Sequence, residues 1–472
     1  MNRLLISAAH KSSGKTTVCV GLCASLRMRG ESVQPFKKGP DYIDPLWLGL
    51  AAGRSCFNLD SYLSSPEEIR AEMAYRMRGA TFGIVEGNKG LYDGLDLEGT
   101  NSNAALAVLL DTPVVLVLDA RGMTRGVAPL ILGYQAFDRN VRIAGIILNQ
   151  LGGSRHEAKL RAVIAHYTGV PVLGAIQHDE RLTIVERHLG LVPSNEAQAE
   201  AAHARVREIA QIVSSQVDLD ALVALARTAP PLAPAPAPSI RARPKPSGPA
   251  VRVGIARDAA FGFYYPGDLE ALSDAGAELV VFDALRDKGL PQIDGLFIGG
   301  GFPEMHMDAL ARNVGLRSAV HAAIEAGLPT YAECGGLMYL ARGIKWNGRR
   351  AEMVGVVPAD IVMHAKPVGR GYVHLRETGR NPWARADAPS AKRIRAHEFH
   401  YSSVENLGPE VEFAYEVERG HGVDGRHDGI VRKNMLASYS HLRDVDGNRW
   451  ARRFVQFVQS CKADVAATAS HS

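Results

Sequence analysis

Two stretches of this chain carry residue types whose order implies chemistry. The first is Ala8–Ala9–His10–Lys11–Ser12–Ser13–Gly14–Lys15–Thr16–Thr17, set between the apolar run Leu4–Ser7 and a helical stretch, Thr16–Met28. A strand–turn–helix of this kind gathers backbone N–H groups around phosphates, here with Gly14 and Thr17 in the cradle. Lys15 would neutralise β/γ oxygens and the Thr16 hydroxyl would ligate Mg²⁺. It departs from a full P-loop at Ala9, where the first glycine is expected, and at Ser12 and Ser13, where glycines are frequent. The second stretch, Pro329–Met338, reads as strand, Cys334, two glycines, then helix. Such an elbow exposes the sulfur at a helix N-terminus, whose dipole favours a thiolate. A thiolate nucleophile wants an imidazole partner, for which His397, His400 and His441 are the candidates. Gly299 to Glu304, after another predicted strand, offers backbone amides at Gly300 and Gly301 for an oxyanion.

Further polar residues cluster where predicted strands end. Lys37, Lys38, Asp41, Tyr42 and Asp44 follow Ser32–Phe36, at the edge where open α/β sheets bind ligands. The lysines suit an anionic substrate, and Asp41 suits Mg²⁺ or phosphate. Glu86 ends Phe82–Val85 and can complete a metal shell, with Lys89 just beyond it. Asp119 and Asn149 end two more strands, Asn149 at a position suited to reading a nucleotide base.

The elements that must hold these residues are legible as alternation. Leu4–Ser7, Ser32–Phe36, Phe82–Val85, Val114–Leu118, Ile143–Leu148 and Val172–Ala175 are apolar without period-2 polarity, as in parallel strands covered on both faces. Val251–Ala256, Glu278–Phe282, Gly295–Ile298 and Pro329–Ala332 repeat the pattern, with helices over Leu269–Asp274 and Gly315–Ala326. Val354–Glu416 reads as antiparallel. Prolines from Pro230 to Pro249 mark a semi-rigid linker. The expected organisation is a doubly wound α/β P-loop domain over 1–227, a linker over 228–249, a second α/β domain over 250–462, and a flexible tail over 463–472.

Composition bounds the function. The 472 residues carry 54 Lys+Arg against 50 Asp+Glu, a net charge of only +4, so no basic stripe for nucleic acid or an anionic membrane is expected. No apolar run reaches the roughly 18 residues of a membrane span. Five cysteines without a Cys-x-x-Cys argue against a disulfide framework or thiolate zinc site. The first residues run straight into a predicted strand, without the apolar region and cleavage site of a signal peptide, so a cytoplasmic location is expected.

Taken together, these motifs resemble the cobyrinic acid a,c-diamide synthase family, a dethiobiotin-synthetase-like ATPase followed by a class I glutamine amidotransferase. The resemblance covers nearly the whole chain. It rests on the P-loop, Lys38–Pro45, Gly90–Gly94, Glu186–Leu191, Ala256–Phe261, Gly299–Glu304, Glu333–Leu337 and His397–Ser402. It implies Cys334 as glutaminase nucleophile and His441 as its base, with ATP and Mg²⁺ as cofactors and a tetrapyrrole and glutamine as partners. A homodimer is compatible with it. ATP would phosphorylate a peripheral carboxylate of a sirohydrochlorin-derived macrocycle, and ammonia from glutamine would attack the acyl phosphate. Lys38, Asp41, Tyr42, Asp44 and Lys89 would line the macrocycle site, with Trp47 and Lys37 nearby.

Class I amidotransferases usually carry a carboxylate two residues beyond the catalytic histidine, but this chain has Arg443 there, so the resemblance names no group to orient His441. His10–Lys11, Lys38, Trp47–Gly49 and Asn88–Lys89 resemble instead the branch associated with sulfur-oxidising bacteria, for which sirohaem amidation is the second reading. A third is a partition-type ATPase switch with an inactive amidotransferase module. Against it, the signature lysine of such switches would fall at His10, and an intact Cys334 elbow has no use in a dead module.

Overall fold

The computed structural model describes residues 1–182, 196–232, 248–384 and 393–469, which form two compact units. The Glu186–Leu191 motif and most of the proline-rich segment lie outside the described residues.

The first unit is built on seven strands: β1 (Asn2–Ala8), β2 (Val33–Lys38), β3 (Phe57–Leu59), β4 (Phe82–Glu86), β5 (Val114–Asp119), β6 (Ile143–Leu151) and β7 (Val172–Gln177). They lie in the order β3-β2-β4-β1-β5-β6-β7, all parallel. The uninterrupted apolar runs have a direct cause. Leu4, Ile6, Val115, Val117 and Ile147 enter one core, while Leu5, Leu116, Leu118, Ile146 and Leu148 enter another on the opposite face. Successive side chains of a strand alternate faces, so a sheet buried on both sides needs apolar residues at every position.

Two elements depart from the sequence reading. The three-residue β3 is too short for any periodicity. The loop expected after Lys38 already becomes helical at Ile43, because Asp41 Oδ1 accepts the backbone amides of Ile43 and Asp44 and opens helix α2 (Ile43–Ala52).

The second unit contains β8 (Val251–Ala256), β9 (Phe261–Phe263), β10 (Ala277–Phe282), β11 (Gly295–Ile298), β12 (Gly300–Gly301), β13 (Thr330–Glu333), β14 (Ala341–Trp346), β15 (Arg349–Glu352), β16 (Val357–Met363), β17 (Gly369–Glu377), β18 (Ile394–His400), β19 (Ser402–Glu405), β20 (Glu412–Arg419), β21 (His427–Arg432) and β22 (Met435–Ser438). One sheet runs β10-β8-β11-β13-β22-β21-β20-β17-β18, parallel as far as β22 and antiparallel beyond it. The antiparallel half matches the reading of Val354–Glu416. A four-stranded sheet, β15-β14-β16-β19, lies beside it. The last helix, Trp450–Ala469, runs into the segment expected as a tail.

Candidate active site

In the first unit, the C-terminal edges of β1, β2 and β4 bring the predicted phosphate and metal residues together. Gly14 stands at φ 83°, and helix α1 (Lys15–Met28) begins with neither a capping side chain nor an acid in its first turn. Its first amides are therefore left without intrahelical partners or a competing anion, the condition for binding phosphate. Lys15 is 7% exposed. Burial holds its ammonium below the ordinary lysine value, against the pull of nearby Glu86.

The Thr16 hydroxyl donates to Glu86 Oε1 at 2.7 Å and to Asp44 Oδ2 at 3.3 Å. Lys37 Nζ lies 2.5 Å from Asp44 Oδ2 and 3.0 Å from Glu86 Oε1. Burial works against the Lys37 charge, but Glu86 and Asp44 outweigh it and hold the ammonium well above its ordinary value. Glu86 is fully buried, and its Oε2 has no hydrogen-bond partner among the described residues. A buried carboxylate oxygen left unpartnered beside a threonine hydroxyl and a second carboxylate fits a hard divalent cation.

Several of the predicted residues have their own partners within the protein. Asp44, expected to touch substrate, is turned toward Thr16 and Lys37. Asp41, expected at the metal, accepts through Oδ1 the amides that start α2. Lys37, expected to meet the substrate, is buried between the two carboxylates. Asn149 is 4% exposed and its Nδ2 donates to Ser13 O at 2.9 Å, so that it buttresses the P-loop where a base-reading role was expected. The Thr17 hydroxyl is bonded to Leu182 O, leaving its amide to the cradle. Trp47 is packed, partly buried, against the core.

Lys38 lies near Lys89 but is itself buried, at 3% exposure. Lys38 Nζ bonds Asn88 Oδ1 at 3.1 Å, and burial lowers its ammonium to about 8. Lys89 is exposed on the loop after β4. Tyr42 lies between Lys38 and Lys89 in sequence, just before α2.

In the second unit, Cys334 sits at φ 50° and ψ −102°, between β13 and the short helix Gly335–Leu340. A non-glycine residue at positive φ is strained, and here the strain lies on the nucleophile itself. Cys334 N donates to Ser438 O at 2.7 Å, tying the elbow to the end of β22, the neighbouring parallel strand. Three residues further on, His441 returns over Cys334 and hydrogen-bonds its side chain. Asp428 pins this return by accepting the amides of Tyr439 and Ser440 as well as that of Gly429.

The glycine loop closes the other side. A Cβ on Gly300 would lie 2.7 Å from His441 Cε1, and one on Gly301 only 1.9 Å from Ala260 O. Only glycines allow this approach. The backbone of Gly301 also meets that of Gly335, whose Cβ would fall 2.8 Å from Gly301 N.

The three candidate histidines separate clearly. His400 stacks on Tyr439 at 3.7 Å and bonds Ser402 O, a packed structural position. His397 lies 6.3 Å, ring to ring, from His441, and burial beside that imidazole drops it to about 3, so it stays neutral. His441 alone engages the thiol. Sequence reasoning missed Glu333, whose Oε2 is 3.2 Å from His441 Nδ1. Its one signal was a carboxylate inside an otherwise uncharged strand.

A nucleotide cradle with a cation-ready carboxylate, and a cysteine–histidine elbow with a glycine loop, in one chain, define a glutamine-dependent amidating ligase. The comparisons agree in both halves. Residues 5–192 match the CobQ/CobB/MinD/ParA nucleotide binding domain, and residues 252–446 match the CobB/CobQ-like glutamine amidotransferase domain. The chain is 49% identical to cobyrinate a,c-diamide synthase of Magnetococcus marinus, over 96% of its own length and 97% of that protein. It is 39% identical to the proteins of that name from Methanosarcina acetivorans and Archaeoglobus fulgidus, over 98% and 96% of its length and 97% of each. The chain belongs to the cobyrinate a,c-diamide synthase family. Among the described residues no helix is long and apolar enough to cross a membrane.

Proposed function

We propose that this protein uses ATP and glutamine to amidate the a and c acetate side chains of a cobyrinate-type tetrapyrrole. The observation that carries the reading is the pairing of an open P-loop helix with a Cys334–His441 couple in a chain similar over its full length to synthases of that name.

A substrate carboxylate attacks the γ-phosphorus of ATP, giving an acyl phosphate and ADP. Lys15 and the first amides of α1 meet the charge that develops on the phosphoryl oxygens. Mg²⁺, held by the Thr16 hydroxyl and Glu86, would neutralise phosphate charge. In the second unit the Cys334 thiolate attacks the glutamine side-chain carbonyl, backbone amides of the Gly300–Gly301 loop stabilise the oxyanion, and the His441 imidazolium protonates the leaving ammonia. Water then hydrolyses the thioester to glutamate. Ammonia displaces phosphate from the acyl phosphate and leaves the amide. Lys38 and Lys89 offer charge to the substrate's remaining carboxylates.

The test is incubation with ATP, Mg²⁺, glutamine and either cobyrinate or sirohaem, reading acid-to-amide conversion by mass. Diamidation of cobyrinate is the expected result. Amidation of sirohaem alone would replace the substrate assignment, and glutamine-independent ATP turnover without product would favour the switch reading. A cytoplasmic, homodimeric enzyme acting on neither nucleic acid nor membrane is part of the same proposal.

A further inference from the structure

We propose that Glu333, the residue immediately before the nucleophile, is the positioning carboxylate of His441, in place of the usual one two residues beyond the histidine. The assignment rests on the glutaminase reading of the second unit alone.

The geometry accounts for every contact of this side chain. β13 and β22 are parallel neighbours with Glu333 opposite Ser438, so the chain leaving β22 must pass over the end of β13. Glu333 Oε2 meets His441 Nδ1 at 3.2 Å, while Oε1 accepts the Leu442 amide at 2.9 Å and the Tyr331 hydroxyl at 2.5 Å. Tyr331 lies two residues earlier on the same face of β13, the spacing at which strand side chains stand together. One carboxylate thus fixes both the imidazole and the backbone just after it, and Tyr331 fixes the carboxylate. Glu333 and His441 are each 3% exposed, so water does not compete. Engaging Nδ1 leaves Nε2 for Cys334, the orientation that base work requires.

Arg443, in the customary place of the carboxylate, is unsuited to the task. It lies over the Tyr265 ring at 4.2 Å and 3.7 Å from Asp268 Oδ1, in a separate network. Among the described residues, titratable groups that face His441 include Cys334, Glu333 and His397, and His397 is neutral. Burial would depress the His441 imidazolium, but Cys334 and Glu333 outweigh it and raise it to about 10.

The test is the pH profile of glutaminase kcat/KM in Glu333→Gln. The amide keeps the shape but loses the charge, and can present an N–H to Nδ1 and so impose the wrong tautomer. Activity is expected to fall on the order of a hundredfold, with KM for glutamine little changed. The imidazolium form is lost as pH rises through its pKa, and that pKa is lower without Glu333, so the basic limb should move to lower pH. A merely structural role would lower the rate without moving the limb. Tyr331→Phe, which keeps the carboxylate but frees its aim, should lower kcat several-fold. Glu333→Asp should recover part of the Glu333→Gln loss. A wild-type basic limb in Glu333→Gln would overturn the assignment.

Discussion

Adding a single methyl group to the P-loop, as Gly14→Ala, should cripple nucleotide binding by an amount that can be worked from two contacts. Gly14 stands at φ 83°, in the left-handed region, where a Cβ costs about 1–2 kcal/mol. The same Cβ would lie 2.3 Å from Asn149 Nδ2, the atom that donates to Ser13 O. Asn149 must withdraw, and the loss of its buried hydrogen bond costs about 1 kcal/mol more. A sum of about 2–3 kcal/mol corresponds to roughly 30- to 140-fold weaker ATP binding, since each 1.4 kcal/mol is about tenfold. The assay is calorimetric ATP binding together with KM for ATP, using ammonium as nitrogen source so that the glutaminase does not enter. Truncating the neighbour supplies the internal control. In an Asn149→Ala background the clash is absent and only the backbone strain remains, so Gly14→Ala should cost about 1 kcal/mol less there. Wild-type ATP affinity in Gly14→Ala, or strictly additive costs in the double variant, would refute the reasoning.

Cys334→Ser should abolish glutamine-dependent product while ammonium-dependent synthesis continues, measured by amide formation with each nitrogen source; loss of both in a folded protein would break the division of labour between the units. Lys38, lowered to about 8 by burial, loses its charge as pH rises through that value, so KM for the tetrapyrrole should climb above pH 8 and stay flat in Lys38→Arg. Where the macrocycle's carboxylate restores the charge, its binding above pH 8 should take up a proton, measurable by calorimetry in buffers of different ionisation heat. Asp428→Ala strands the three backbone amides of Gly429, Tyr439 and Ser440, and should destabilise the second unit by about 3 kcal/mol in urea denaturation, with loss of glutaminase.

Much of the fold could be read in advance because burial on both faces writes itself into sequence as unbroken apolar runs, as in Val114–Leu118 and Val251–Ala256. What escaped was local or long-range. The helical turn at Ile43 depends on Asp41 accepting two amides, and this moved Asp44 from the substrate rim to the side of Thr16. The P-loop and the elbow were legible because each is contiguous in sequence. Glu333 was not, since its meaning lies in a histidine 108 residues away, brought over it by strand pairing. The same holds for Asp428, whose partners are backbone amides that no residue type reveals. Lys37 looked like a rim cation because sequence cannot show that the last residues of an inner strand are still sealed, here at 2% exposure.

Lys37 gives the nucleotide site a resident counterion. Two carboxylates, Glu86 and Asp44, converge on one threonine, and with no cation between them their repulsion in a poorly hydrated place would push the edge of the sheet apart whenever nucleotide departs. With an ammonium built into β2 the edge is neutralised from within. The same ammonium restrains the carboxylates' hold on any divalent ion, since an incoming cation must meet a positive charge already in residence. Retention therefore depends on the phosphates that arrive with the ion, so the metal is expected to come and go as part of the nucleotide and not as a permanent tenant of the protein.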